Sequence, residues 1–243
     1  MHKKGQVTLF VIIAIMLVAA VALVVYFAGI KPQKEAEIDI KPIQAHVQNC
    51  VESTAENGLY MIGFQGGYII TPANSLETNF TTISYGYSSG KNQLPAVSKI
   101  ESELKSYIEL FLPSCTTFDE FPDLDISTGE VDAVVNIKED TIDISVNYPI
   151  TIKKEATYAL KDFDTKIYVR LGRIHTITGE IINNEEENPG SIDLSYLIEV
   201  NTQTGIKVDV IPYDNTTLIY SIKDPLSKIE NRDYVFMFAN SLD

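Results

Sequence analysis

The 243-residue chain reads as an α+β protein, an N-terminal transmembrane helix followed by an extracytoplasmic domain of amphipathic helices packed with an antiparallel sheet. Three observations predict it. Residues 7–30 contain no Asp, Glu, Lys, Arg or His. Apolar residues then recur at steps of three and four through two segments before residue 115, and at steps of two in much of the chain beyond it. Helical and strand runs are grouped rather than alternating as β-α-β units, which favours an antiparallel α+β arrangement.

Residues 1–6 form a basic leader, with Lys3 and Lys4 ahead of Gly5 and Gln6. At about 1.5 Å per residue the stretch 7–30 makes a helix about 36 Å long, enough to cross a hydrocarbon core of about 30 Å with some tilt. A signal-peptide core is roughly half that length. Residues 31–41, polar and broken by Pro32, read as a stalk, and Pro42 suits a first helical turn. Ile43, Val47, Cys50, Val51, Ala55, Leu59 and Ile62 then mark one face of a helix that ends in Gly63, Gly66 and Gly67. Tyr68-Ile69-Ile70 reads as a short strand, and the Ser, Thr, Asn and Gly-rich stretch 73–94 as a long loop. Val97, Ile100, Leu104, Tyr107, Ile108 and Phe111 mark a second helix, entered after Pro95 and closed by Pro113, whose apolar face suits the first.

Past Phe121-Pro122 the period changes to two. Strands are expected at Val131–Ile137, Ile142–Tyr148 and Ile150–Ile152, with Lys138-Glu139-Asp140 as a hairpin turn. Ile167, Leu171, Ile174, Thr178 and Ile181 give a third helical face ending near Asn183-Asn184, although its β-branched residues also suit a strand. Glu185–Gly190 reads as a solvated loop and 191–199 as a short helix. Ile206–Ile211, Leu218–Ile222 and Tyr234–Ala239 are the closing strands. Residues 42–243 thus form one domain, with a helical part at about 42–120 and a mainly β part at about 130–243.

Without Lys3, Lys4, Lys31 and Lys34 the remaining 15 basic residues face all 33 acidic ones, a net charge of about −18 for residues 35–243. A polyanion is repelled by such a domain, so nucleic acid is excluded as a partner. The bilayer, through residues 7–30, and a protein partner or self-association are the expected contacts. Cys50 and Cys115 form either a disulfide or two separate buried thiols, and the disulfide is the favoured state. With the sequons at Asn79 and Asn215 it favours an extracytoplasmic domain, with the N-terminus in the cytoplasm. Lys31, Lys34 and Lys41 follow the span almost as densely as Lys3 and Lys4 precede it, so loop charge does not decide the orientation.

Chemistry-bearing motifs are sparse. The histidines are His2, His46 and His175, and there is no Cys-x-x-Cys, His-Glu-x-x-His, glycine-rich phosphate loop or Gly-x-Ser-x-Gly elbow. Asp123–Glu130 carries oxygens on alternate residues as a calcium loop does, but its glycine is one place late and Val134 stands where a bidentate Glu belongs. It reads as an acidic turn. Lys166, Arg170 and Arg173 form a basic stripe that reads as a solvated helix face pairing with acids such as Asp162 and Glu180. Tyr85 and Tyr87 read as core rather than as a sugar platform. No catalytic residue, cofactor or metal is assigned.

Lys3-Lys4-Gly5-Gln6-Val7-Thr8-Leu9-Phe10 resembles the class III signal peptide of archaeal type IV pilin-like proteins. The resemblance implies cleavage between Gly5 and Gln6 by a prepilin peptidase, and covers about the first 30 residues. Such pilins commonly carry Glu at the fifth mature position, where this chain has Phe10. Gln65–Tyr68, the segment before Pro95 and the ending Tyr234–Ala239 are similar to membrane-anchored envelope proteins of small-genome archaea. The resemblance implies a single-pass cell-envelope protein with a structural or interaction role, a pilin-like subunit in its assembling form, with Ala14, Ala19, Ala20 and Ala22 permitting close helix approach. The alternative class is an anchored envelope hydrolase acting on glycan or peptide through carboxylates that the sequence does not pair.

Overall fold

The structure, a computed structural model, describes residues 4–29 and 39–242, and the chain divides into two units, Met1–Asp39 and Ile40–Asp243. The expected stalk, apart from its last residues, and the first three residues of the leader lie outside the described residues. In the first unit a single helix, α1 (Lys4–Gly29), carries Gly5 and Gln6 in its first turn. Phe10–Phe27 is apolar and exposed throughout, long enough to span a bilayer.

The second unit is built around α2 (Lys41–Phe64) and α3 (Val97–Cys115). Helix α2 buries Ile43, Val47, Val51, Ala55, Leu59 and Ile62, and α3 buries Ile100, Leu104, Ile108 and Leu112. The two helices pack on each other as their apolar spacings predict. Cys50 and Cys115 are joined by a disulfide, with Cα atoms 5.7 Å apart. Pro113 lies inside α3 instead of closing it: its missing N–H falls in the last turn, where Leu112 O still accepts from Thr116 N at 3.0 Å.

Helix α2 likewise runs through Gly63 to Phe64. Gly66 and Gly67, both at positive φ, make the turn after it, with Gly67 N–H donating to Ile62 O at 2.8 Å. Tyr68-Ile69-Ile70 is not a strand. The Ile69 and Ile70 amides donate to Glu103 Oε2 on α3, at 3.0 and 3.3 Å, so a carboxylate takes the place of a neighbouring strand.

The stretch 73–94 is strand, not loop: β1 (Ser75–Glu77), β2 (Thr82–Ser88) and β3 (Lys91–Asn92). Its small and polar composition reflects close packing, since a Cβ on Gly86 would meet Phe238 at 2.7 Å and Ile182 at 2.8 Å. After α3 come β4 (Asp125–Thr128), β5 (Asp132–Ile137), β6 (Ile142–Lys153) and β7 (Thr157–Ile167). Next are α4 (Leu171–Glu187), α5 (Leu194–Thr204), β8 (Lys207–Pro212), β9 (Thr217–Ile229) and β10 (Arg232–Ser241). The strands expected at 142–148 and 150–152 are one strand, β6, with a register irregularity between Asn147 and Ile150. The helix expected from Ile167 begins at Leu171, because Ile167 closes β7.

Two sheets result. In the first, the order β1-β2-β10-β9-β8 is extended by β3 on β2. It is mixed rather than antiparallel throughout, because β2 joins β10 in parallel. Such a pairing of distant segments needs no hairpin and so leaves no turn signature. In the second sheet, β6 pairs along one side with β5 and β4 in succession and along the other with β7, all antiparallel. Helix α2 touches α3, β7 and β10, and so contacts both sheets. Strands β1–β3 fall within 42–120 and helices α4 and α5 within 130–243, so helix and strand are interleaved along the chain.

The free edge of β5 is covered by α3. Ala133 N–H donates to Glu109 Oε1 at 3.0 Å, Ile137 N–H to Glu101 Oε1 at 2.8 Å, and Lys105 Nζ to Ala133 O at 2.7 Å. Glu101, Lys105 and Glu109 are spaced by four, one row on the helix, and satisfy ladder groups that would otherwise face water.

The Cys50–Cys115 bond closes a 65-residue separation, for which chain-entropy reasoning gives a stabilisation of about 4 kcal/mol. Replacing both cysteines with alanine lowers the stability from urea melts by a free energy of that order and raises m, because the uncrosslinked unfolded chain exposes more surface; an unchanged stability refutes the estimate.

Candidate functional site

The basic stripe expected from sequence divides among three different environments. Lys166 lies on β7 and pairs with Asp143 at 3.4 Å. Arg173, on α4, pairs with Glu139 and Asp140 in the β5–β6 turn, at 2.8 and 3.0 Å. Neither partner is the Asp162 or Glu180 expected, because β7 and α4 are separate elements and the cation row is not a helix face.

Arg170 is the third, and its side chain is largely buried, 15 % exposed. It immediately precedes α4 and grips Asp224, itself 0 % exposed, through both carboxylate oxygens, with Nε donating to Oδ2 at 2.8 Å and Nη2 to Oδ1. Nη1 and Nη2 each also donate to Thr204 O at the end of α5, at 3.2 Å, and its backbone N–H donates to Ser227 Oγ at 2.9 Å. Asp224 also accepts from Ser227 Oγ and from Leu226 N. Burial opposes the charge on Asp224, but the bonds from Arg170 and Ser227 outweigh it and hold the carboxyl below its usual range. Neither histidine nor cysteine contributes to this network, whose geometry suits fixing strands and helices together rather than moving protons.

Among the described residues the two histidines lie against backbone carbonyls, His46 Nε2 2.9 Å from Thr117 O and His175 Nε2 2.8 Å from Pro95 O. Tyr87 is buried in the main core and Tyr85 packs beside Ile83 and Ile219. Asp125–Thr128 of the acidic run is strand β4, not a turn, because it pairs with Ile150–Lys153. Asp125 and Ser127, alternate residues, then share one face of an extended strand, which spaces their oxygens along it instead of curling them round an ion. Among the described residues no cluster of three or more acidic, His or Cys side chains has metal-binding geometry. Glu185, expected in a solvated loop, is buried at the end of α4 and accepts from Gly190 N at 2.6 Å.

The two sequons fall on exposed turns, Asn79 between β1 and β2 and Asn215 between β8 and β9. Both turns border one feature that sequence did not suggest, an apolar groove of about 560 Å³. Phe64, Ile83, Ile211, Ile219 and Met237 line it, and Phe80 stands at its side 98 % exposed. Tyr213 Oη donates to Glu77 O at 3.2 Å and joins the two turns. The groove is lined almost wholly by carbon and has no convergent acid, base or nucleophile. Such a surface can seat apolar side chains, and Phe80 is itself free to enter a partner.

No family model, no curated protein and no solved structure matches this chain.

Arg170→Ala leaves a buried carboxylate uncompensated and lowers stability by on the order of 3 kcal/mol, while the Arg170→Met, Asp224→Leu pair loses less than the sum of its single changes in urea melts. Because the folded carboxyl titrates below the unfolded value of about 3.9, the contribution of Asp224 is present above that pH and is lost as pH falls toward the folded value; acid melts of Asp224→Asn are correspondingly less pH-dependent. Phe80→Ala, by contrast, changes stability by less than about 0.5 kcal/mol, since the ring touches little of its own chain; a larger loss refutes its availability to a partner.

Proposed function

We propose that this is a single-pass, membrane-anchored cell-envelope protein whose folded domain lies outside the cytoplasm and serves a structural or interaction role. The observation that carries this reading is α1, whose residues Phe10–Phe27 are apolar and exposed on every side. Water does not tolerate so long an apolar cylinder, whereas a bilayer matches its length. The disulfide supports an oxidising compartment for the domain, and the groove flanked by Phe80 supports contact with a protein rather than chemistry on a small polar substrate. The leader Lys3-Lys4-Gly5-Gln6 adds a pilin-like subunit as the specific form of this role, with Gly5–Gln6 as the processed bond.

The reading is tested on the protein from its native membrane. It should resist carbonate extraction, its domain should be cleaved by protease added to intact cells, and Cys50 and Cys115 should resist alkylation before reduction. Release by carbonate refutes the anchor, and protection from protease refutes the orientation. An intact mass beginning at Gln6 supports the pilin-like form; a retained leader refutes processing and leaves a fixed anchor.

A further inference from the structure

Strand β8 ends the first sheet, and its two sides are unlike. Tyr213 N–H donates to Thr217 O at 2.9 Å, so residue 213 faces β9. By the alternation of an antiparallel ladder Lys207, Asp209 and Ile211 face β9 as well. Val208 and Val210 therefore turn their N–H and C=O groups away from the sheet, and Pro212 offers a C=O alone. Ile206, of the same parity, points to α5, where Thr204 Oγ1 accepts its N–H at 3.1 Å and Asn201 Nδ2 donates to its carbonyl at 3.3 Å. Among the described residues no strand pairs with this edge, in contrast to the covered edge of β5.

Beside the edge runs a groove of about 590 Å³ between β8 and α5, lined by Val208, Val210, Leu194, Leu197 and Ile198. Leu194 and Ile198, one turn apart on α5, are 64 % and 67 % exposed. An open edge beside an apolar helix row has the form of a strand-addition site.

We propose that a second copy of this chain occupies it, β8 pairing antiparallel with β8 about a two-fold axis at Val208. The two Val208 residues exchange N–H···O=C bonds, and each Val210 N–H reaches the second lone pair of Ile206 O in the other copy. Lys207 then stands directly opposite Asp209 of the second copy, twice over, at the close non-hydrogen-bonded positions of the ladder. Within their own chain neither has an ion-pair partner among the described residues. Lys207 instead sits across from Lys223, whose ammonium is engaged with Asp233 at 3.0 Å. The incoming carboxylate answers this like-charge contact. An axis at Asp209 sets two carboxylates face to face. An axis at Val210 sets Asp209 against Ile211 and meets Pro212, which has no N–H to give. A slip of one residue matches outward groups with inward ones. On the α5 side Val208 and Val210 of both copies and both copies of Leu194 and Ile198 form one apolar layer, as an isologous interface requires.

This pairing needs neither membrane anchoring nor leader processing. It is tested by charge exchange in the full-length protein in detergent, with mass from light scattering and folding checked by near-ultraviolet circular dichroism. Wild type is expected as a dimer. Lys207→Asp and Asp209→Lys should each raise the dimer dissociation constant at least tenfold, and the double exchange should restore it. A monomeric wild type, a dimer indifferent to the single exchanges, as one held by α1 is, or a double exchange that stays monomeric overturns the proposal. Both side chains are exposed, so the variants fold; failure here leaves the carbonate and protease results unaffected.

Discussion

The ion pair between Arg170 and Asp224 is the constraint through which distant parts of the domain are held in one arrangement. Arg170 sits where the second sheet hands over to α4, and Asp224 sits where β9 loses register with β10, between Tyr234 and Asp233. Arg170, which follows the second sheet's last strand by three residues, thus binds an irregularity in the first sheet and the terminal carbonyl of α5 through one guanidinium. A cation at a helix C-terminus is favourable for the unpaired carbonyls and for the dipole. Taking both charges out of water is expensive, and apolar replacements of similar volume commonly match such a pair in stability. Its contribution is better described as specificity: slippage of β9 leaves a carboxylate buried without its cation.

Around that point the domain treats its strand edges unequally. The row Glu101, Lys105 and Glu109 on α3 serves as a substitute strand for β5, and Glu103 on the same helix does so for the segment after α2. Helix α3 therefore uses one side for the core and another for backbone groups of its neighbours. Helix α2 does this to a smaller extent beside its apolar contacts with α3, β7 and β10, with His46 next to Thr117 O and Gln48 Nε2 donating to Asp164 O on β7 at 2.9 Å. The open side of β8 belongs to the part of the first sheet farthest in strand order from β1, and it is short, bounded by Pro212 and by the α5 connection.

Much of this was legible in the sequence where periodicity is local. Both α2 and α3, their mutual packing, the β5–β6 hairpin and the closing strands follow from apolar spacing, and the favoured disulfide joins a cysteine midway along the first helix to one at the end of the second. Other features failed for identifiable reasons. Strand β2 is made of Thr, Ser, Gly and Tyr because it packs tightly against α4 and β10, and that composition mimics a loop. Strand β7 alternates without strong apolar contrast, and its last residue, Ile167, lies in helical step with Leu171 and Ile174. Arg170 looks like any surface cation until Asp224, 54 residues later, is brought beside it. The groove beside Phe80 joins turns more than 130 residues apart, a proximity no local pattern reports.

The position of the disulfide also shapes how the domain bears mechanical load. Tension arriving along the chain from the first unit enters the domain at Ile40, at the start of α2. It can unwind about two and a half turns, roughly ten residues at 3.6 per turn, before it reaches Cys50. From there the covalent path divides and half of it crosses to Cys115, so pulling no longer peels one helix but draws on α2 and α3 together. His46, whose Nε2 lies against Thr117 O just past Cys115, is in the short segment that yields first. The domain is thus built with a small sacrificial length where the chain enters it and a crosslinked body behind.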